Sequence, residues 1–180
     1  MKYCSNCAAP VISMIPEGDH LHRFVCTSCG SIFYHNPKVI AGCIVSYNDQ
    51  ILLCKRAIEP RHGLWTIPAG FLENNETSAE GAKRETFEES LAITEDLELF
   101  CVYNIPHISQ IYMIYRSHMH KPEFAPTPES SEVTLFSEQE VPWEDLAFPV
   151  VTAALRHYFK QRSVGHFNIV IDAIDKRGSA

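Results

Sequence analysis

The sequence has no apolar run approaching the length of about 20 residues that a transmembrane helix requires. The segment from Met1 to Cys7 contains none of the apolar stretch that marks a secretion signal. The chain also shows no internal repeat and no low-complexity tract. These absences argue against a membrane protein, a secreted protein and a repeat protein. We therefore expect a cytoplasmic protein without a membrane partner.

Positive charge is also scarce. The chain has 15 lysines and arginines against 22 aspartates and glutamates, which gives a formal net charge of −7. An acidic protein repels the phosphates of DNA and RNA, so nucleic acid is disfavoured as a partner. An excess of carboxylates suits a protein that holds divalent cations. Because 46% of the 180 residues are hydrophobic, the chain can bury a real core, as one medium domain or as a domain with a small appendage.

Four of the seven cysteines form two C-x2-C pairs separated by 18 residues. The four are Cys4, Cys7, Cys26 and Cys29. Four thiolates in two close pairs are typical of a tetrahedral zinc site that is closed by protein ligands. Gly30 allows the tight turn that directs amides at the sulfurs, and the turn signal at 16–19 predicts a hairpin between the pairs. We predict a structural Zn²⁺ ribbon over residues 1–36.

A docking ribbon for nucleic acid or for another protein is the alternative interpretation of this segment. The segment is not basic, because Lys2 and Arg23 are balanced by two acidic residues. His20 and His22 are alternative metal ligands by residue type, although a surface histidine is the simpler interpretation.

The region 37–180 has the pattern of a mixed α/β domain. Alternating apolar residues between turn signals predict strands at 39–47, 50–54, 97–105, 110–117, 133–136 and 167–174. Helical periodicity predicts helices at 78–91 and 149–161. Thr77, followed three residues later by Glu80, is the capping-box signature that starts the first helix.

The first predicted helix carries three glutamates on one face, because Glu85, Glu88 and Glu89 are spaced i, i+3 and i+4. Neighbouring carboxylates repel one another by a few tenths of a kcal/mol per pair. A divalent cation reverses this effect, since Mg²⁺ and Mn²⁺ prefer oxygen ligands. The face therefore predicts a Mg²⁺ or Mn²⁺ site, and a solvated acidic face is the alternative.

Two further features belong to this helix. Ala79, Ala82 and Thr86 form a stripe of small residues that would let the helix pack closely on a sheet. Glu76 and Arg84 have opposite charges on the two sides of the junction between the loop and the helix. We expect them to pair and to hold the loop against the helix.

The whole spacing resembles the Nudix box, whose pattern is G-x5-E-x7-R-E-U-x-E-E-x-G-U. Six fixed positions of the pattern match this chain. They are Gly70, Glu76, Arg84, Glu85, Glu88 and Glu89. Leu91 replaces the final glycine and Thr86 replaces a larger aliphatic residue. Because the glycine would serve as a left-handed helix cap, we expect the exit from the helix to differ, while every ligand is retained.

The resemblance implies an α/β/α sandwich around a mixed sheet. It also implies hydrolysis of the diphosphate bond of a nucleoside diphosphate derivative to two monophosphates by metal-activated water. In that family the three glutamates of the helix face bind Mg²⁺ or Mn²⁺, the Gly70 carbonyl is a possible further ligand, and Arg84 holds Glu76. The general base varies, and the candidates here are Glu85 and two glutamates of the loop after the box, Glu129 and Glu132.

The ribbon narrows the subgroup. One zinc-ribbon branch acts on NADH and NAD-capped RNA and carries a downstream S-Q-P-W-P-F-P signature, but the comparable segment here reads Ser109-Gln110-Ile111-Tyr112-Met113. The chain is instead similar to zinc-ribbon Nudix proteins grouped with plant FAD and ADP-ribose diphosphatases. A non-catalytic nucleotide sensor is a further alternative, against which the retained glutamates argue.

An adenine ring needs an aromatic or apolar wall. The candidate wall residues are Phe71, Tyr103, Tyr112 and Tyr115. We favour Phe71 and Tyr112 as substrate-binding residues together with Arg56, which would contact a phosphate; packing and solvation are the alternatives. Many members of the family are homodimers, and the apolar segment 167–174 is a candidate interface.

Overall fold

The computed structural model describes residues 1–175, which divide into two compact units, Met1–Pro37 and a second unit that begins at Lys38. The first unit is a three-stranded antiparallel sheet. Its strands are β1 (Val11–Met14), β2 (Arg23–Cys26) and β3 (Ile32–Phe33), in that order. The predicted hairpin turn is present between β1 and β2, and Gly18 has the positive φ of +80° that the turn requires.

The second unit is built on one mixed sheet flanked by two helices. Its strands are β4 (Lys38–Tyr47), β5 (Gln50–Arg56), β6 (Trp65–Thr66), β7 (Ala69–Phe71), β8 (Glu95–Ile105), β9 (Gln110–His118), β10 (Ser130–Phe136) and β11 (Val170–Ala173). The helices are α1 (Ser78–Ser90) and α2 (Pro149–Val164), with 3-10 turns at Pro106–Ile108 and Trp143–Asp145. The strand order is β10-β5-β4-β9-β8-β11, with β6 paired to β5 and β7 to β4. β4 and β9 are parallel, as are β8 and β11, and the other pairs are antiparallel.

The two helices cover opposite faces of the sheet. Alternate residues of β4 point to opposite sides, so Ala41 and Cys43 pack in the core on the side of α1, while Ile44 packs with Leu155 and Tyr158 of α2. The predicted α/β/α sandwich is therefore confirmed. Within residues 1–175, neither helix has the length and hydropathy needed to cross a membrane.

Helix α1 begins and packs as the sequence predicts. Thr77 Oγ1 accepts the amide of Glu80, and the Glu80 carboxylate accepts the amide of Thr77, which closes the capping box. Ala82 and Thr86 of the small stripe are fully buried, and the Thr86 hydroxyl donates to the Ala82 carbonyl at 2.7 Å. The helix therefore lies close to the sheet.

The expected change at the exit from α1 is wrong. Leu91 adopts the left-handed conformation itself, with φ of 58° and ψ of 7°, and its amide donates to the Phe87 carbonyl at 2.7 Å. The leucine thus supplies the same backbone cap as the glycine of the family pattern. A residue with a Cβ adopts this conformation at a cost of about 1–2 kcal/mol.

Close contact between β4 and β7 places the residues before α1. A Cβ on Gly42 would lie 2.4 Å from the Ala69 Cβ and 2.9 Å from the Pro68 carbonyl oxygen, so only glycine fits. Gly42 pairs with Ala69, and Ala41 pairs with Gly70. This pairing holds the backbone of β7 beside the acidic face of α1.

Candidate active site and zinc ribbon

Arg84 links the loop to the helix, and all of its donor nitrogens are used. Nε and Nη2 donate to the two oxygens of Glu76 at 3.0 and 2.7 Å, which confirms the predicted pair. Nη2 also donates to the Phe71 carbonyl at 3.2 Å, and Nη1 donates to Glu85 at 2.8 Å and to Glu88 at 2.9 Å. The hydrogen bonds from Arg84 lower the pKa of Glu76 to about 2. One guanidinium therefore fixes the loop, β7 and the acidic face together.

Gly70 lies directly against the Glu85 carboxylate. A Cβ added to Gly70 would lie 2.3 Å from the Glu85 Cδ and from both carboxylate oxygens. Any side chain at position 70 would therefore displace Glu85. Gly70 leaves room for the carboxylate at the edge of the sheet, next to its own backbone.

Glu89 is the most enclosed carboxylate of the site, with 5% of the residue exposed. Its Oε2 accepts the Ala69 amide at 3.1 Å, and within the described residues its other oxygen has no donor. Burial raises the pKa of Glu89 to about 8, the charges of Glu85 and Glu129 act in the same direction, and the Ala69 amide and Arg56 oppose them. Burial also raises the pKa of Glu85. These carboxylates therefore lack sufficient positive charge around them.

The residues present fit a divalent cation. Three carboxylates lie on one face of α1, a glycine leaves space beside one of them, and another is buried with one unpartnered oxygen. A hard cation with oxygen ligands would supply the missing positive charge. Glu85 lies against Gly70 and shares Arg84 with Glu88, while Glu89 accepts the Ala69 amide next to Gly70. Within residues 1–175 the oxygens of the three carboxylates do not lie close enough together to form a metal-ligand cluster.

The two candidate loop bases differ in their surroundings. Glu129 directly precedes β10 and is exposed, and its charge raises the pKa of both Glu85 and Glu89. Glu132 lies within β10 and is also exposed, with its carboxylate 3.5 Å from the Lys55 ammonium. Glu129 therefore interacts electrostatically with the acidic face, whereas Glu132 forms an ion pair with Lys55.

Arg56 is the candidate contact for a substrate phosphate. Arg56 donates through Nε to the Pro60 carbonyl at 2.7 Å and stacks 5.3 Å from the centre of the Phe148 ring. Its charge lowers the pKa of Glu89, and it opposes the rise in the pKa of Tyr112 that burial causes. Arg56 therefore lies close enough to Glu89 and to Tyr112 for its charge to act on both. Within residues 1–175 its terminal nitrogens donate no hydrogen bond, which leaves them free for an anion.

The four aromatic candidates divide into two pairs. Tyr103 is 1% exposed, and the Tyr115 hydroxyl is bonded to the Ser78 hydroxyl at 2.6 Å, so both belong to the packing. Phe71 is 51% exposed, with the Lys38 ammonium 4.8 Å from its ring centre. Tyr112 is half-buried, which leaves these two as the possible wall.

Several contacts of the site were invisible in the sequence because they use backbone groups or residues distant in the chain. The Ala69 amide and the Phe71 carbonyl anchor the acidic face through Glu89 and Arg84. Phe148 supports Arg56 from the start of α2. A motif records residue types, and the type of a residue says nothing about a bond made by its backbone.

The N-terminal cysteines form one cluster. The four sulfurs lie within 4.8 Å of one another, with Cys4 and Cys29 3.7 Å apart and Cys7 and Cys26 3.4 Å apart. A tetrahedral zinc ion with Zn–S bonds of about 2.3 Å spaces its sulfurs about 3.8 Å apart. The cluster therefore fits the predicted zinc site.

Backbone amides face two of these sulfurs, as the sequence predicts, and the Asn6 amide donates to the Cys4 sulfur at 3.3 Å. The amides of Cys29 and Ser28 both point at the Cys26 sulfur from 3.4 Å and lower the pKa of that thiol. Gly30 follows with φ of +71°. The turn at this glycine therefore favours the thiolate form that binds metal.

The two histidines considered as alternative ligands lie outside the cluster. His22 Nδ1 is 3.4 Å from the Ser13 hydroxyl, and His20 Nδ1 is 3.7 Å from an Asp19 oxygen. Neither histidine takes part in the metal-ligand grouping, which consists of the four cysteines.

Comparison with known proteins matches both units. Residues 36–160 match the model of the NUDIX domain, and residues 2–35 match the Nudix N-terminal zinc-ribbon model. The chain belongs to the NUDIX family. Its zinc ribbon is the family's own N-terminal module rather than an unrelated addition.

A solved Nudix structure matches nearly the whole chain. It is a NUDIX hydrolase from Nitrosomonas europaea, 51% identical, with a TM-score of 0.94 over 98% of this chain and 100% of that chain. An ADP-ribose pyrophosphatase from Methanocaldococcus jannaschii is 37% identical over 73 residues, which cover 41% of this chain and 43% of the relative. An NAD-capped RNA hydrolase NudC from Chromobacterium violaceum is 33% identical over 88 residues, which cover 49% and 31%. The matched segment is less than half the length of either curated relative.

Proposed function

We propose that the chain hydrolyses the diphosphate bond of a nucleoside diphosphate derivative of the FAD or ADP-ribose class and releases two monophosphates. The observation that carries this proposal is the arrangement of Glu85, Glu88 and Glu89 on one face of α1, against the backbone of Gly70 and Ala69. A diphosphate is itself anionic, so it can approach this face only with cations between them. The acidic face and the substrate class therefore imply the same Mg²⁺ or Mn²⁺ ions.

Each residue of the site has a distinct proposed role. Glu85, Glu88 and Glu89 would hold the cation, with the Gly70 carbonyl as a possible further ligand. Such an ion neutralises charge on the diphosphate and acidifies an attacking water. Arg84 orients the acidic face through its bonds to Glu76 and to the face itself.

Glu129 is the proposed general base, because it is exposed beside the acidic face and has no cation of its own among the described residues. Glu85 and Glu132 remain the other candidates. Glu129→Gln is expected to lower kcat and to change the pH profile of kcat, whereas Glu132→Gln is expected to leave both close to wild type.

Arg56, Phe71 and Tyr112 would hold the substrate. The charge of Arg56 acts on both Glu89 and Tyr112, and its terminal nitrogens would contact a phosphate next to the reacting phosphorus. Phe71 and Tyr112 are the proposed wall for the nucleoside ring. Loss of Arg56 is expected to raise KM more than it lowers kcat.

The FAD or ADP-ribose class is supported by two observations. One curated relative carries the name ADP-ribose pyrophosphatase. The downstream signature of the NADH branch is missing from the segment 109–113. The similarity to a NudC hydrolase favours NADH or NAD-capped RNA as the second candidate substrate class.

A hydrolysis panel with Mg²⁺ or Mn²⁺ tests the proposal. The substrates are FAD, ADP-ribose, NADH, NAD-capped RNA and nucleoside triphosphates, with Glu85→Gln as the control. We expect AMP from FAD or ADP-ribose and no turnover by the control. Faster turnover of NADH or of the capped RNA would move the chain to the second class, and no turnover of any substrate would leave a nucleotide-binding regulator as the function.

We also propose that residues 1–36 form a structural zinc module and residues 37–180 the catalytic domain. The cysteine cluster supports this division, because four closed thiolate ligands leave no open position for chemistry. Metal analysis of reduced, purified protein should find about one zinc per chain, as a Cys4 site requires. Protein that is folded and free of zinc would contradict the assignment.

Two further proposals concern location and assembly. None of the seven cysteines forms a disulfide, which suits a reducing compartment and supports the cytoplasm. β11 lies at the edge of the main sheet and its Ile171 is 74% exposed, so this edge is the proposed contact of a homodimer. An Ile171→Lys variant should then sediment as a monomer at concentrations where the wild type is a dimer.

A further inference from the structure

A cavity lies between α2 and the 3-10 turn Trp143–Asp145, and its volume is about 270 Å³. Its lining residues are Glu138, Trp143, Arg156, Phe159, Lys160 and Ser163. None of them belongs to the candidate active site, which is built on the other helix. The cavity is therefore a separate feature of the molecule.

The cavity has an excess of positive charge. Helix α2 contains no aspartate or glutamate, although the chain is acidic overall. Arg156 and Lys160 are exposed at i and i+4, and neither forms an ion pair within residues 1–175. Glu138, the carboxylate of the lining, is already engaged by Arg162 at 3.5 Å. Like charges at this spacing destabilise a helix slightly, so an anion bound between them would relieve the repulsion.

An aromatic support lies beside the charges. The Arg156 guanidinium is 4.9 Å from the centre of the Trp143 ring, and Phe159 contacts that ring edge-on with centroids 6.1 Å apart. Arg156 is exposed, so the outer face of its planar guanidinium is open to a second ring. Lys160, one helical turn later, offers a mobile ammonium of the kind that binds phosphate.

We propose that this cavity binds a nucleoside 5′-monophosphate. The base stacks on the outer face of Arg156, which in turn rests on Trp143, and the phosphate is held by Lys160. Clefts that enclose a drug-sized ligand have volumes of about 300–1,000 Å³. At about 270 Å³ the cavity suits one nucleotide rather than a dinucleotide. The site goes beyond the proposed catalysis, because it uses none of the catalytic residues and needs no metal ion.

Binding of AMP to the full-length chain tests the proposal. The measurement is equilibrium dialysis in buffer without Mg²⁺ or Mn²⁺, where the acidic face of α1 repels phosphate. Inorganic phosphate and adenosine serve as the two partial ligands. The variant is R156Q/K160Q, and the matched control is K83Q/K121Q, which removes the same charge at two exposed lysines of the second unit that do not line the cavity. Tryptophan emission follows the same titrations, because Trp143 lies in the cavity and Trp65 is 8% exposed in the core.

We expect AMP to bind the wild type and the control equally and to bind R156Q/K160Q at least about tenfold more weakly, since two charge-assisted contacts are lost. AMP should also bind at least about tenfold more tightly than phosphate or adenosine. Equal affinity of R156Q/K160Q and the control would overturn the site. Equal affinity for AMP and either partial ligand would overturn the assignment of a nucleotide, and no binding of AMP at millimolar concentration would overturn both.

Discussion

The two helices that flank the main sheet differ in what they bury. α2 buries large apolar residues, including Leu155, Tyr158 and Phe159, and leaves Arg156 and Lys160 exposed. α1 buries small residues and one carboxylate, Glu89, and two of its other glutamates, Glu85 and Glu88, are tied to Arg84. α1 therefore buries less apolar surface than α2, and it holds two of its carboxylates against the backbone of β7. The comparison indicates that α1 positions chemistry, whereas α2 mainly completes the core.

The largest expected difference between the two helices is in the effect on kcat/KM of removing one charged side chain from each. Glu89→Gln is expected to lower kcat/KM for the best substrate by about 100-fold or more, in the range seen when one preorganised electrostatic contact is lost. Arg156→Gln on α2 should change kcat/KM by less than about twofold, because surface changes away from the site are close to neutral. Steady-state kinetics, with circular dichroism to check folding, measure both. Comparable losses in the two variants would show that α1 has no special role.

A smaller effect is expected from Gly70→Ala. The new Cβ would meet the Glu85 carboxylate at 2.3 Å and displace it, while the helix itself is unchanged. Misplacement of a reacting group by about 1 Å can cost up to 100-fold in rate, so we expect kcat to fall about 10- to 100-fold. The variant should also need more Mg²⁺ or Mn²⁺ for half-maximal activity. An unchanged metal titration would separate Gly70 from the metal site.

The Arg84–Glu76 ion pair should make the stability of the fold depend on pH in the acidic range. The exposed Arg156 of α2, which has no carboxylate partner within the described residues, should not. The folded pKa of Glu76 is about 2, below its ordinary value of 4.5. The stabilisation is therefore fully present above about pH 4.5 and is lost as the pH falls toward 2. The gap in Tm between wild type and Glu76→Gln should be constant near neutral pH and should narrow below about pH 4.5.

Arg156→Gln provides the control for that experiment. Arg156 contacts an aromatic ring and no carboxylate within the described residues. The difference in Tm between wild type and Arg156→Gln should therefore not depend on pH over the same range. Thermal unfolding followed by circular dichroism from pH 3 to 8 measures both gaps. A gap for Glu76→Gln that stays constant down to pH 3 would mean that the ion pair contributes nothing to stability.

The smallest effects concern the ends of the two helices. Both end in the left-handed conformation, α1 at Leu91 with φ of 58° and α2 at Gly165 with φ of 68°. Leu91→Gly removes backbone strain and should raise stability by up to about 1 kcal/mol, and Gly165→Leu should lower it by about 1 kcal/mol. Denaturant unfolding measures both changes. Destabilisation by Leu91→Gly would show that packing of the leucine outweighs its strain.

The elements of the fold were largely predictable because they depend on local patterns. The long strands and both helices lie within a few residues of their predicted positions, since alternation and helical periodicity reflect which side chains face the core. β6 and β7 were not predicted as strands. They have only two and three residues, too few for a pattern, and their pairing depends on the close approach at Gly42.

The features of the site likewise divide into those that the sequence predicts and those that depend on the tertiary structure. By itself the sequence determined which carboxylates share a helix face, which cysteines can form a cluster and that Arg84 has Glu76 as a partner, because each of these depends on residue type and spacing. Only the tertiary structure decided that Glu89 is buried against the Ala69 amide, that Glu85 rests on Gly70 and that Arg156 stacks on Trp143. These contacts join residues from separate elements, and their geometry depends on how the sheet brings those elements together.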